Sequence, residues 1–120
     1  MLRGATKCSM ENGTQLAAVD MGSNSFRLEI GRLDRGQIHR TEYVKETVRL
    51  GAGLDDDKAL TPEAMARGWA CLARFGERLA GFGRINVRAV ATQTLREAVN
   101  RDEFVAQAEQ LLGFPIEVIA

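Results

Sequence analysis

The spacing of apolar positions changes several times along this chain, and each change marks the border of an element. Leu16-Ala17-Ala18-Val19 is a short apolar run stopped by Asp20, which suits a central strand buried on both faces. Four apolar residues could also open a helix, but the Gly22-Ser23-Asn24-Ser25 cluster that follows favours a turn. From Phe26 the pattern alternates: Phe26, Leu28 and Ile30 on one side, Arg27, Glu29 and Gly31 on the other, as in a half-buried strand. Asp34-Arg35-Gly36 makes a tight turn, with Gly36 available for positive φ. Gln37 to Leu50 is rich in Ile, Tyr, Val and Thr yet carries charges on both sides, which fits an edge strand that must not pair with other chains.

A surface loop with Asp55-Asp56-Asp57 separates this meander from a helical pattern. Thr61-Pro62-Glu63 supplies an N-cap, a first-turn proline and an early acid. Met65, Trp69, Leu72, Phe75, Leu79 and Phe82 then form one apolar stripe at three- and four-residue steps, and Gly81 and Gly83 close it. Trp69 is read as packing. Asn86 to Thr92 predicts a further strand, and Gln93 to Val99 admits a short helical turn. Asn100 with Glu103 resembles a capping box and opens a helix that ends at Gly113. After Pro115 comes a last strand, Ile116 to Ile119. The element order is β-β-β-α-β-α-β, without internal repeats. A meander followed by alternating helices and strands predicts an α/β domain with a mixed five-stranded sheet and right-handed crossovers. Residues 1–15 are polar and aperiodic and are read as a disordered leader, residues 16–120 as one domain.

Composition adds exclusions. Sixteen basic residues balance sixteen acidic ones, so no overall field draws DNA or anionic lipid, and any anion site must be local. Most of the basic residues are arginine, whose planar fork suits phosphate, although base composition accounts for the total. Cys8 and Cys71 show no metal-ligand spacing; Cys71 falls in the first helical pattern as a small core residue. The first fifteen residues carry Arg3 and Lys7 but no apolar stretch of the kind a secretory signal needs, and no apolar run is long enough to span a membrane. The cytoplasm is the expected compartment. His39, the one histidine, sits on the charged strand and is read as a solvated surface residue.

Chemistry concentrates at Asp20 to Ser25. Gly22 permits close backbone approach and unusual φ, so that successive N–H groups can converge on an anion. Ser23, Asn24 and Ser25 add short side-chain donors. Asp20 makes sense beside phosphate only with Mg2+, or waters on it, in between. On pattern alone a tight hairpin, with Asp20 satisfying turn amides, explains the same residues and is the commoner use. The triple-aspartate loop lacks the spaced oxygen ligands of a calcium site.

Ala18-Val19-Asp20-Met21-Gly22-Ser23-Asn24-Ser25-Phe26 resembles the first phosphate motif of the Ppx/GppA phosphatase family. Val48 to Leu54 is similar to that family's segment at the end of the third strand, and Ala89-Val90-Ala91-Thr92-Gln93-Thr94-Leu95-Arg96-Glu97-Ala98 to its segment after the fourth. The resemblance implies a ribonuclease H-like domain of the actin and sugar kinase class, strand order 3-2-1-4-5. It implies hydrolysis of a terminal phosphoanhydride of polyphosphate or pppGpp, with Mg2+ as cofactor. Asp20 would help to hold the metal; Gly22, Ser23, Asn24, Ser25, Arg49, Thr92 and Arg96 would face phosphate, and Gln93-Thr94 could present N–H groups from a helix start. Without it, Arg49 and Arg96 read as solvated surface charges.

The family's general base and its second glycine-rich phosphate loop are expected beyond Ala120, the loop in a second ribonuclease H-like domain. No residue up to Ala120 is therefore assigned as the catalytic base, and Glu117, on the last strand, has no special claim to that role. The expectation is a phosphatase domain that turns over little alone. A sugar or acetate kinase-like half-domain and a non-catalytic alarmone-binding module are the alternatives; oligomeric state stays open.

Overall fold

In the computed structural model, which describes residues 12–119, strand β1 (Gln15–Met21) pairs antiparallel with β2 (Ser25–Asp34), and β2 with β3 (Gln37–Thr47). The β2–β3 turn places Arg35 at φ 53° and Gly36 at φ 80°, the two successive positive angles that match the twist of a two-residue hairpin. Thr41 is the extra residue of a bulge opposite Ile30 and Gly31, and its hydroxyl donates to the Ile30 carbonyl at 3.3 Å. Helix α1 (Pro62–Arg78) follows, capped by Thr61, whose hydroxyl accepts from the Ala64 N–H at 3.2 Å. Strand β4 (Val87–Ala91), the five-residue helix α2 (Gln93–Glu97), helix α3 (Arg101–Leu112) and strand β5 (Ile116–Val118) complete the fold.

The sheet order is β3-β2-β1-β4-β5, with β1, β4 and β5 parallel, as the element order predicts. Both long crossovers, β3 to β4 through α1 and β4 to β5 through α3, step across the sheet in the same direction. Right-handed connections therefore put both helices on the same face. There α1 and α3 enclose the core of Val19, Met21, Phe26, Leu28, Leu72, Phe75, Ala91 and Phe104. Two helical glycines set the spacing. A Cβ on Gly68 would come 2.9 Å from the Phe104 ring, and one on Gly76 would come 2.3 Å from the Leu111 carbonyl oxygen. Trp69 stacks on Phe104 at 5.9 Å between ring centroids and donates its indole N–H to the Phe104 carbonyl. Cys71 is buried, in keeping with its expected core role.

Several expectations need correction. Strand β1 is covered on one face only: Ala17, Val19 and Met21 are buried, while Ala18 is exposed, because no described element packs on the other face. Helix α1 ends at Arg78, short of Leu79 and Phe82, since Leu79 already leaves helical geometry; Gly81 takes φ 90° beyond the cap. Asn100 occupies the N-cap of α3 without capping it. Its amide instead brackets Leu60, accepting from that residue's N–H at 2.9 Å and donating to its carbonyl at 3.1 Å, so a link across the fold takes the place of a local cap. The expected leader, with Arg3, Lys7 and Cys8, lies outside the described residues up to position 11. The next residues join the sheet end: Gly13 N–H donates to Leu33 O at 2.7 Å, and Asn12 accepts from Arg35 N–H at 2.8 Å. Among the described residues no helix is long and apolar enough to cross a membrane.

Candidate functional site

At the carboxyl end of β1 the chain reverses through Gly22, Ser23 and Asn24, and the Gly22 N–H closes the hairpin on Ser25 O at 3.0 Å. Gly22 is not at positive φ. It is needed for close approach, because a Cβ there would sit 3.1 Å from the Ser25 carbonyl oxygen. The loop's carbonyls are engaged by the turn that follows β3. Val48 and Arg49 both donate their N–H to Asn24 O, at 2.9 and 2.8 Å, and Gly51 donates to Ser23 O at 2.8 Å. Ser23 and Asn24 keep their side chains exposed, whereas Ser25 is buried at the start of β2.

Arg49 takes φ 56°, the left-handed region that a side chain with a Cβ enters at a cost of about 1–2 kcal/mol. Hydrogen bonds from both sides hold it there. Its N–H is bound to the Asn24 carbonyl, and its own carbonyl accepts from Arg67 Nη2 at 3.2 Å, while Arg67 Nε donates to Val48 O at 2.8 Å. The Arg49 side chain is exposed.

The third segment arrives from β4. The Thr92 N–H donates to Met21 O at 3.4 Å, which ties the start of α2 to the end of β1. Thr94 is buried beside the loop: the Cβ that Gly51 lacks would lie 3.0 Å from Ser23 Cβ and 3.2 Å from Thr94 Oγ1. Ser23, Gly51 and Thr94, far apart in sequence, thus meet around one absent methyl group. Arg96 is exposed one turn on, and its Nη1 donates to Ile119 O at 3.3 Å, so it joins the end of β5 rather than the loop. Thr92 is half-buried at the end of β4.

Asp20 lies on the open face, half-exposed, with Arg27 Nη1 at 3.8 Å. Among the described residues no cluster of three or more His, Cys, Asp or Glu is placed to hold a metal. One accessible carboxylate fits Mg2+ in the manner usual for phosphate substrates, in which one or two carboxylates, several waters and phosphate oxygens share the coordination. Asp55 accepts from the N–H groups of Asp57 and Ala59 at 2.9 and 3.0 Å, so it braces its own loop. His39 is exposed, 3.8 Å from Asp34. Ala120, beyond which the general base is expected, lies outside the described residues. The last described carboxylate, Glu117, pairs with Arg88 at 3.4 Å. A cavity of about 960 Å3 lined by Leu79, Phe82, Leu112 and Phe114 lies at the opposite end, where α1 and α3 finish, far from the loop.

The sequence singled out this loop but gave no sign of how it is held. Gly51 and Thr94 lay inside recognised segments without being singled out as the packing contact, and Arg67 gave no signal, because its partners are backbone carbonyls.

A mixed sheet of this order, with both crossover helices on one face and loops gathered at the carboxyl ends of its parallel strands, is a ribonuclease H-like domain. The sequence model of the Ppx/GppA phosphatase family matches residues 30–120, and the chain belongs to that family. The match contains the Arg49 turn and the Thr92–Arg96 segment and begins after the Asp20–Ser25 loop. Among solved structures, an exopolyphosphatase-like protein shares 32% identity over 92% of this chain and 34% of its own, TM-score 0.81. The PPX-GPPA enzyme of Aquifex aeolicus shares 27% over 88% of this chain and 36% of its own, TM-score 0.80. An exopolyphosphatase from Cytophaga hutchinsonii shares 27% over 88% of this chain and 34% of its own, TM-score 0.81. The chain spans about a third of the length of these proteins.

Proposed function

We propose that this domain grips the terminal phosphates of a phosphoanhydride chain, inorganic polyphosphate or pppGpp, for Mg2+-dependent hydrolysis in the cytoplasm. The observation that carries the proposal is the meeting of three family segments at Ser23, Gly51 and Thr94, at the end of the sheet where domains of this kind hold ligands. Ser23 and Asn24 offer exposed donors on a hairpin whose carbonyls are already engaged, and Arg49 adds an exposed guanidinium fork beside them. Gly22 lets the backbone come close. Ser25 would act through its backbone, since its side chain is buried, and Thr92 and Arg96 would line the β4 side.

Asp20 would hold Mg2+, which when bound neutralises charge on the transferring phosphoryl group. The base that activates water and a second phosphate clamp are assigned to positions beyond Ala120, the clamp in a second ribonuclease H-like domain, in keeping with the length of the related structures.

The test is phosphate release from polyphosphate and from pppGpp with Mg2+, by these 120 residues alone and joined to the remainder of a relative. Hydrolysis is expected from the joined form, falling at least about a hundredfold in Asp20→Ala, as the loss of a several-kcal/mol metal contribution implies. Phosphate transfer to or from a nucleotide in place of hydrolysis would move the assignment to a kinase-like phosphotransferase. Specific pppGpp binding without turnover in either form would move it to a binding module.

A further inference from the structure

We propose that Arg67 is a positioning residue, which holds Arg49 in its left-handed conformation and so fixes the turn against the Ser23–Asn24 loop. Arg67 lies in the second turn of α1, on an element that carries no other residue of the site. Its Nε and Nη2 bind the successive carbonyls of Val48 and Arg49. The N–H groups of the same two residues converge on the Asn24 carbonyl. Val48 and Arg49 are thus each held through both N–H and carbonyl, and this over-determination keeps Arg49 at φ 56°.

Arg40, Arg74, Arg78 and Arg88 are engaged in surface ion pairs. Arg67 differs. Among the described residues it has no carboxylate partner, and both of its hydrogen bonds serve this turn. Arginine is needed because adjacent donors in one rigid plane can bind neighbouring carbonyls together, whereas a lysine ammonium is a single point on a flexible stem. The consequence for ligand binding rests on the phosphate site proposed above; the hold on the turn does not.

The experiment uses the whole chain with Arg67→Met, Arg67→Lys, Arg49→Gly and the Arg49→Gly/Arg67→Met double variant. Amide hydrogen exchange is followed at Val48, Arg49 and Gly51 and, as reference, at Leu28. Sodium tripolyphosphate is titrated against each protein by NMR. Arg67→Met is expected to speed exchange in the turn but not at Leu28, and to weaken tripolyphosphate binding about tenfold, with Arg67→Lys between it and the parent. Glycine takes the left-handed region freely, so adding Arg67→Met to Arg49→Gly should change little further; this non-additivity separates positioning from plain stabilisation. Unchanged exchange in Arg67→Met overturns the proposal, as does full additivity in the double variant. Faster exchange with parental tripolyphosphate affinity overturns the link to the site. A parent chain that binds no tripolyphosphate overturns the phosphate reading, and the exchange data then decide the role of Arg67 alone.

Discussion

Gly51 is a position where a single added atom would crowd the candidate site. An alanine there puts its Cβ 3.0 Å from Ser23 Cβ, 3.2 Å from Thr94 Oγ1 and 3.4 Å from Ser23 O. Thr94 is buried and Ser23 is tethered through its carbonyl to the Gly51 N–H, so neither can yield without shifting the hairpin. Gly51→Ala is expected to cost about 1–2 kcal/mol, in the range of modest overpacking, and to shift the amide resonances of Ser23 and Asn24 while sparing the far end of the sheet. Denaturant unfolding and a two-dimensional amide spectrum check this; parental stability and an unmoved Ser23 resonance would sink it. At this scale the sequence shows which residues carry donors but not which of them touch. Arg49 illustrates why: local sterics argue against φ 56° for any residue with a Cβ, and its hydrogen bonds, donated to Asn24 O and accepted from Arg67, join it to residues distant in the chain.

Elements are legible where the signal is local and illegible where a neighbour overrides it. The Thr61-Pro62 helix start and the Arg35-Gly36 turn stand as their sequences predict, because cap and turn chemistry act within four residues. Asn100 looks like a cap and is spent on Leu60 instead, a partner that no local pattern reveals. The glycines of α1 reverse the local preference altogether. Helix propensity alone would make Gly76→Ala stabilising by about 1 kcal/mol. In the fold, that Cβ would meet Leu111 O at 2.3 Å and Leu112 O at 3.0 Å, backbone atoms of α3 that no rotamer change can remove. The two helices would have to part, which loosens the Trp69–Phe104 stack on the same seam. The expected net effect is a loss of about 1–3 kcal/mol, read as a lowered denaturation midpoint with changed Trp69 fluorescence. A stabilised variant would show that the seam has more slack than its geometry indicates.

Among the described residues the sheet has one covered face and one open face, and a tie between sheet edge and helix closes the covered side. The element order, and with it the sheet order, follows from the sequence because crossover handedness leaves few choices. The exposure of Ala18 does not, since a strand of small apolar residues looks the same whether one face is covered or two. On the covered side, edge strand β3 is joined to α1 by Arg78 with Glu42 and by the fork of Arg74 on Glu46, one arm of which measures 3.0 Å. The Arg74 hydrogen bonds hold the Glu46 carboxyl below its ordinary value of 4.5, against partial burial, which pushes the other way. Because the folded value is the lower one, this contribution is complete above about pH 4.5 and is lost as pH falls through the folded value. Beneath the pair, burial first and the neighbouring Glu46 second push the Cys71 thiol up to about 12, so it stays protonated and unreactive in the folded protein at neutral pH. Cys71 can therefore report opening of this corner, with Cys8 replaced by serine so that only one thiol responds. Glu46→Gln is expected to destabilise the protein by at most about 1 kcal/mol at pH 7, as befits a pair at the surface, and to raise the alkylation rate of Cys71 by up to about fivefold. Below pH 4.5 the stability difference between parent and variant should shrink towards zero as Glu46 takes up its proton. Stability curves that stay parallel through that range would mean that the fork on Glu46 contributes nothing pH-dependent, and that the Arg78–Glu42 pair and apolar packing join the edge strand to the helix without it.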